Sequence, residues 1–343
     1  MAAGGDVMTM HTAAQRNRTW MRPGAGWVAA FAAMIFAAAP LWCSAQYPAR
    51  PVRIVVPIPP GGAPDVAARV VGQKLAEVLG VAVVIENKVG SNGNIAAEYV
   101  ARSPADGYTL LFAQDSLLEI NPYIYARMPV DVHRDLVPVS AVVSNMFVLS
   151  VNPSLPVKTF KEFIDYARKI DPPLTYASGG NGSQHHLTME QLKQRAGINL
   201  VHVPYKGGSP ATTATVAGEV AAMFAGTSTA PQIKAGRLRA LAVTGAGRSE
   251  VFPELPTIAE FYPGFEMTIW LGLFAPAGTP ETVLARLRQE ITKVLHTVEV
   301  RERLKTAGGL QPLIMTTADF ESMIARNSVK FQKLIKEVGA KVD

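Results

Sequence analysis

Gly61 and Gly62 follow Pro59 and Pro60 and precede a helical pattern, within VRIVVPIPPGGAPDVAAR at residues 52–69. Glycines at such a place leave main-chain N–H groups exposed at the positive end of a helix, which suits an anion. A second turn of the same kind is YASGGNGSQHH at residues 176–186, where Ser178, Gly179, Gly180, Asn181, Gly182 and Ser183 offer hydroxyls, an amide and more N–H groups. Phosphate is not the obvious anion. A phosphate-binding loop needs Gly-Lys-Ser/Thr at the helix start, whereas Ala63-Pro64-Asp65 follows Gly62. The dinucleotide fingerprint fails as well, since the next glycine is Gly72. A carboxylate fits better.

Other chemistry fits the same residues less well. A hydrolase would use Ser183 with His185 or His186, but the nucleophile elbow needs glycine two residues either side, and Asn181 and His185 stand there. A zinc site from His185, His186 and His202 meets the objection that adjacent helical residues point apart. No metal and no cofactor is called for. VPYKGGSP at residues 203–210 forms a third turn, with Tyr205 able to reach a cleft, and Trp270 is a candidate aromatic wall. Gln114, Asp115 and Ser116 follow the third strand at the sheet edge where α/β proteins bind ligands. Ile58 and Asp65 complete the candidate set inside the first turn.

The elements that must hold these turns alternate between strand and helix, which predicts α/β layers with mainly parallel sheets. Ile54, Val55 and Val56 start the series; strands at 82–86 and 109–113 and a helix at 92–102 follow. A new series opens at 147–151. Thr159 and Glu162 form a capping box for a helix to about Lys169. Then come strands at 174–177, 200–204, 220–224, 238–244 and 267–275, with helices at 184–196, 210–217 and 281–296 and two more at the end.

The first 45 residues read as an export signal: Arg16, Arg18 and Arg22, then no charge until Arg50, with a small-residue site at Cys43-Ser44-Ala45. The apolar run at 27–42 is short for a spanning helix. Cleavage after Ala45 removes the only cysteine, which excludes disulfide scaffolds, thiol enzymes and zinc–thiolate sites. The formal charge of +6 is mild and its bases are scattered among acids, so nucleic acid is not a partner.

Several segments, taken together, resemble the periplasmic solute receptors of tripartite tricarboxylate transporters, also called Bug-type or TctC-like. They are IVVPIPPGGAPDVAAR, ADGYTLLFAQDSLLEINPYIY, YASGGNGSQHHLTMEQL, VPYKGGSPATTATVAGEVAAMF and the stretch around MTIWLGLFAPAGTP. The resemblance implies a two-lobed type II periplasmic-binding-protein fold with two crossing strands as hinge. The lobes would be residues 46–145 with 249–343, and residues 146–248; the crossings would be at 146–151 and 241–244. It implies no catalysis, a monomer, a small organic acid or amino acid as ligand, and membrane permease subunits as partner. In this family a carboxylate is held by the N–H groups and small hydroxyls of two Gly-rich turns. That places Gly61, Gly62 and Ala63 on one side, and Ser178, Gly182, Ser183 and His185 on the other. Asp115 stands where relatives carry a short uncharged residue, so an ionised Asp115 at the cleft implies a ligand with an amine or several hydroxyls. The alternatives are a secreted hydrolase on Ser183 and His185, and a binding protein that feeds a signalling system.

Overall fold

In the β1 strand, Val52–Val56, all but Arg53 are buried, because the strand is paired on both sides and covered on both faces. The computed structural model describes residues 47–341. The export signal and its cleavage site lie outside the described residues. After β1 the chain makes the Pro/Gly turn and helix α1 (Ala63–Leu79), then β2 (Val83–Asn87), a 3-10 turn at Ser91–Gly93, α2 (Asn94–Ala101) and β3 (Thr109–Gln114). Pro64 sits in the first turn of α1, where it lacks only an N–H that has no helical partner. Two short helices, α3 (Asp115–Glu119) and α4 (Asn121–Ile124), lead toward β4 (Leu136–Val151).

Strand β4 is the spine. Its first part pairs antiparallel with β9 (Thr268–Pro276), from Leu136 to Met146, and its last part, Phe147–Val151, pairs with β7 (Ala222–Gly226). The full order is β2-β1-β3-β9-β4-β7-β5-β6, with β8 (Arg239–Val243) and β10 (Gln311–Pro312) also on β4. The remaining elements are α5 (Phe160–Ala167), β5 (Leu174–Ser178), α6 (Gln184–Ala196), β6 (Leu200–Pro204), α7 (Gly208–Ala217) and α8 (Ala230–Lys234). Helices α9 (Glu281–His296), α10 (Val298–Gly308) and α11 (Thr317–Val338) end the chain.

Two expectations are corrected. The sheets are not mainly parallel: β1 with β2 and β3, and β5 with β6 and β7, are parallel, but every pairing of β4 and β9 is antiparallel. The cause is that β9 returns between β3 and β4. The series expected to open at residue 147 is the second part of a strand that starts at Leu136. Pro138 obscured it, and the strand tolerates that proline at a bulge between Pro138 and Ser140.

Buried side chains gather in three main clusters. One lies between α1, α9 and the face of β1, β3 and β9, and includes Ile54, Leu75, Phe112 and Leu287. A second, with Val55, Leu117, Trp270, Phe274 and Phe320, covers the other face of the same strands. The third, with Phe147, Phe163, Leu187 and Phe224, fills the β5–β7 side. Helix α11 belongs to two of them. Phe320 and Ile324 pack with Trp270, while Phe331, Leu334 and Ile335 pack in the β5–β7 cluster.

Candidate ligand site

The first turn is built around Asp65. Its carboxylate accepts the Gly61 N–H at 2.9 Å and the Asn87 amide at 2.9 Å, and meets Arg69 through Nε and Nη2. Burial alone would raise this acid, but the Arg69, Gly61 and Asn87 hydrogen bonds hold it below the ordinary carboxylate value. Asp65 therefore shapes the turn and is 2 % exposed. Gly61 takes a left-handed φ of 85° with open space beside it, so no side chain narrows the approach. Gly62 ends as the N-cap of the 17-residue α1, packed on Ile58. The hydrogen-bonded turn through Pro60 and Gly61 directs the Gly62 N–H at the Pro59 carbonyl, whereas the Ala63 N–H has no acceptor among the described residues. Ala63 supplies the free donor of this turn.

The second turn spends its polar groups on itself. Ser178 is fully buried, with its hydroxyl 2.6 Å from His202 Nε2 and accepting the Gly180 N–H at 3.1 Å. Ser183 caps α6, accepting from His186 N and donating to the Gly180 carbonyl at 2.7 Å. Gly182 donates to His186 Nδ1 and lies against Ile124. His186 stacks flat on His202, ring centres 4.1 Å apart. Burial, first of all, pushes His202 down to about 4, so the pair is neutral. Ser183 makes no hydrogen bond to His185, and the close serine–histidine pair, Ser178 with His202, is inside the fold.

His185 leans on Phe147, ring centres 4.7 Å apart, and burial pushes it down to about 4. A Cβ on Gly179 would lie 3.1 Å from its Nδ1 and one on Gly208 3.2 Å from its Nε2, so both glycines make room for this ring. Tyr205 is half-buried and its hydroxyl points to Glu219 at 3.3 Å. Gln114 donates to Ser116 Oγ at 2.8 Å. Asp115 is 1 % exposed, with one oxygen accepting Ser116 N–H and the other Trp270 N–H. Trp270, also buried, donates its indole N–H to Glu119 at 2.7 Å.

Sequence reasoning missed the loop between these turns. Gly90-Ser91-Asn92-Gly93 holds four consecutive positive φ angles, two of them at non-glycine residues. Gly93 backs onto Pro57 of the first turn, and Asn92 Nδ2 donates to the Asn181 carbonyl of the second at 3.1 Å. Asn121 holds the loop from beneath through the Asn92 carbonyl and Asn94 Oδ1. The run Gly-Ser-Asn-Gly-Asn was the available signal: a fourth Gly-rich strand-to-helix turn, read only as a helix start.

The model of the tripartite tricarboxylate transporter family receptor matches residues 67–340. The chain belongs to that receptor family. Its members are periplasmic solute receptors and not enzymes. Among solved structures, it is 34 % identical to Rpa4515 of R. palustris with adipate, with a TM-score of 0.83, covering 87 % of this chain and all of that one. The periplasmic binding protein BugD is 32 % identical, with a TM-score of 0.80, over 86 % of this chain and 99 % of that one. MatC from Rhodopseudomonas palustris with bound malate is 28 % identical, with a TM-score of 0.78, over 84 % of this chain and all of that one. The receptor fold is thus the periplasmic-binding-protein α/β fold. No helix among the described residues is long and apolar enough to cross a membrane.

Proposed function

We propose that this protein is an exported receptor that encloses a small carboxylate-bearing metabolite and presents it to membrane permease subunits of a tripartite tricarboxylate-type transporter. The observation that carries the reading is the unpaired N–H group of Ala63, at the positive end of α1, beside the open face of Gly61. Adipate and malate, bound by two structural relatives, are both dicarboxylates and support a carboxylate as the ligand here. A few charge-assisted hydrogen bonds and dry apolar walls are enough for micromolar capture, about 8 kcal/mol.

In this reading the lobes are residues 46–145 with 249–343, and residues 146–248, joined through β4 and the chain near β8, and the protein acts as a monomer. The ligand is held by the first turn and the Asn92 loop on one side and by Asn181 and its neighbours on the other. Ser178, Ser183 and Asp65 shape the turns and do not touch it. Asp115 gives both oxygens to main-chain donors, which argues against a salt bridge to a ligand amine.

A thermal-shift panel tests the proposal, with adipate and malate first, then monocarboxylates, aromatic acids and amino acids. Saturation at 100 times the dissociation constant adds about 2.7 kcal/mol of stability. A shift by carboxylates, lost in Gly62→Val, is expected. A panel in which only compounds without a carboxylate shift the melt would overturn the reading.

A further inference from the structure

Asp115 opens α3 and Glu119 closes it, one helical turn later and on the same face. Asp115 is 1 % exposed and Glu119 not at all. Four donors serve the pair. Ser116 N–H (2.6 Å) and Trp270 N–H (3.0 Å) reach Asp115, and the Trp270 indole (2.7 Å) and Asn327 amide (3.0 Å) both reach Glu119 Oε1. Glu119 Oε2 is buried with no donor. Gln184, from the first turn of α6, lies against Asp115 and is 4 % exposed, yet neither of its amide atoms completes a hydrogen bond.

The charges around the pair do not balance it. From α11, Lys330 acts on Glu119, but its ammonium donates to the Glu266 carbonyl at 2.7 Å and is shared with the Glu266 charge. From β9 and α6 come only Trp270 and Gln184, both neutral. Two carboxylates in one dry site repel each other, and the least costly remedy is to leave one protonated. That proton also supplies a donor to a cluster rich in acceptors, where Glu119 Oε2 and Gln184 Oε1 are buried without partners.

We infer that Asp115 and Glu119, roofed by Gln184, form a buried binding site for one proton, which holds α6 of the β5–β7 side against α3 of the β1–β3 side. Burial raises both acids above the ordinary carboxylate range, and the Asp115 charge raises Glu119 further. When α6 lifts away, water reaches the pair and the proton leaves. The arrangement in which the second turn is seated is thus the proton-holding one. The inference stands on this packing alone and holds for any solute.

The test is a carbon-13 NMR titration of the carboxyl groups in the exported, ligand-free protein, with melting temperature followed over the same pH range. One carboxyl of the pair should remain protonated at about pH 6, well above a free glutamate at about 4.3. A folded value raised above the unfolded one stabilises at acid pH and is lost as pH rises through it. The melting temperature should therefore carry a fall toward alkaline pH that Glu119→Gln removes. Gln184→Ala, which opens the roof, should bring the titration midpoint down. Both carboxyls ionising below about pH 5 would overturn the inference. So would resonances that follow added sodium and not pH, since the site would then hold a cation. If Glu119→Gln does not fold, the wild-type titration alone decides.

Discussion

The side-chain amide of Asn92 donates to the main-chain carbonyl of Asn181, 3.1 Å away, joining the loop after β2 to the turn after β5. The two residues are far apart in sequence and come from elements on opposite sides of β4. Asn92 reaches across because its backbone is left-handed, φ 49°, a conformation that asparagine adopts at less cost than most side chains.

Asn92 can be dissected by two substitutions. Asn92→Ala should lose about 1–2 kcal/mol, from left-handed strain as well as the lost bond, whereas Asn92→Gly should keep most of the stability. Both should weaken solute affinity several-fold, because both lose the bridge to Asn181. Urea melts and titration calorimetry separate these effects, and an unchanged affinity in both variants would place the bridge outside the site.

Gly62→Val should weaken carboxylate binding at least tenfold, about 1.4 kcal/mol, while the melt stays cooperative. The new side chain meets the end of Ile58, which turns aside at a cost of about 1 kcal/mol, and crowds the approach to the free N–H group of Ala63. Isothermal titration with the tightest carboxylate of the panel is the check.

Acid should weaken the second turn. The folded value of His202 is about 4 against an ordinary 6.5, and burial also lowers His186. Depressed histidines leave stability whole above 6.5 and remove it as pH falls from there toward 4. His186 Nδ1 accepts the Gly182 N–H, so a proton on that atom breaks the turn directly. The drop in melting temperature over that interval should shrink in His202→Gln, and an identical drop would acquit the stack.

Trp270→Phe keeps the aromatic contact with Phe320, ring centres now 4.8 Å apart, but strips Glu119 Oε1 of its shorter donor. A hydrogen bond to a buried acid lost in this way costs about 2–3 kcal/mol, to be read as a lower urea midpoint at unchanged slope.

Export is tested by the mature N-terminus. Expressed in a Gram-negative host, the protein should start near Gln46 and be recovered from the periplasmic fraction. Full-length protein held in the cytosol would refute the signal.

Much of this molecule was legible because its punctuation is strong. Ser183 and Gly197 bracket the helix Gln184–Ala196, and Thr159 caps the next most regular one, as their residue types require. The Gly-rich turns were found, but not how their groups are spent. The pairing of Ser178 with His202 joins two parallel strands, and a local pattern carries no sign of it. Nothing local marks Glu119 for burial, since its place beside Trp270 depends on β9, more than a hundred residues later. Strand β4 was cut short because proline and polar residues hide a bulged strand from any period-two test.

Helix α11 contributes Phe320 and Ile324 to one apolar cluster and Phe331, Leu334 and Ile335 to another, and β9, also late in the chain, is wedged between β3 and β4. Neither cluster can be finished while the last turns of the chain are still being made. Under the proposed export this order has a use, because a chain whose completing pieces are made last has less to unfold before it is threaded across a membrane.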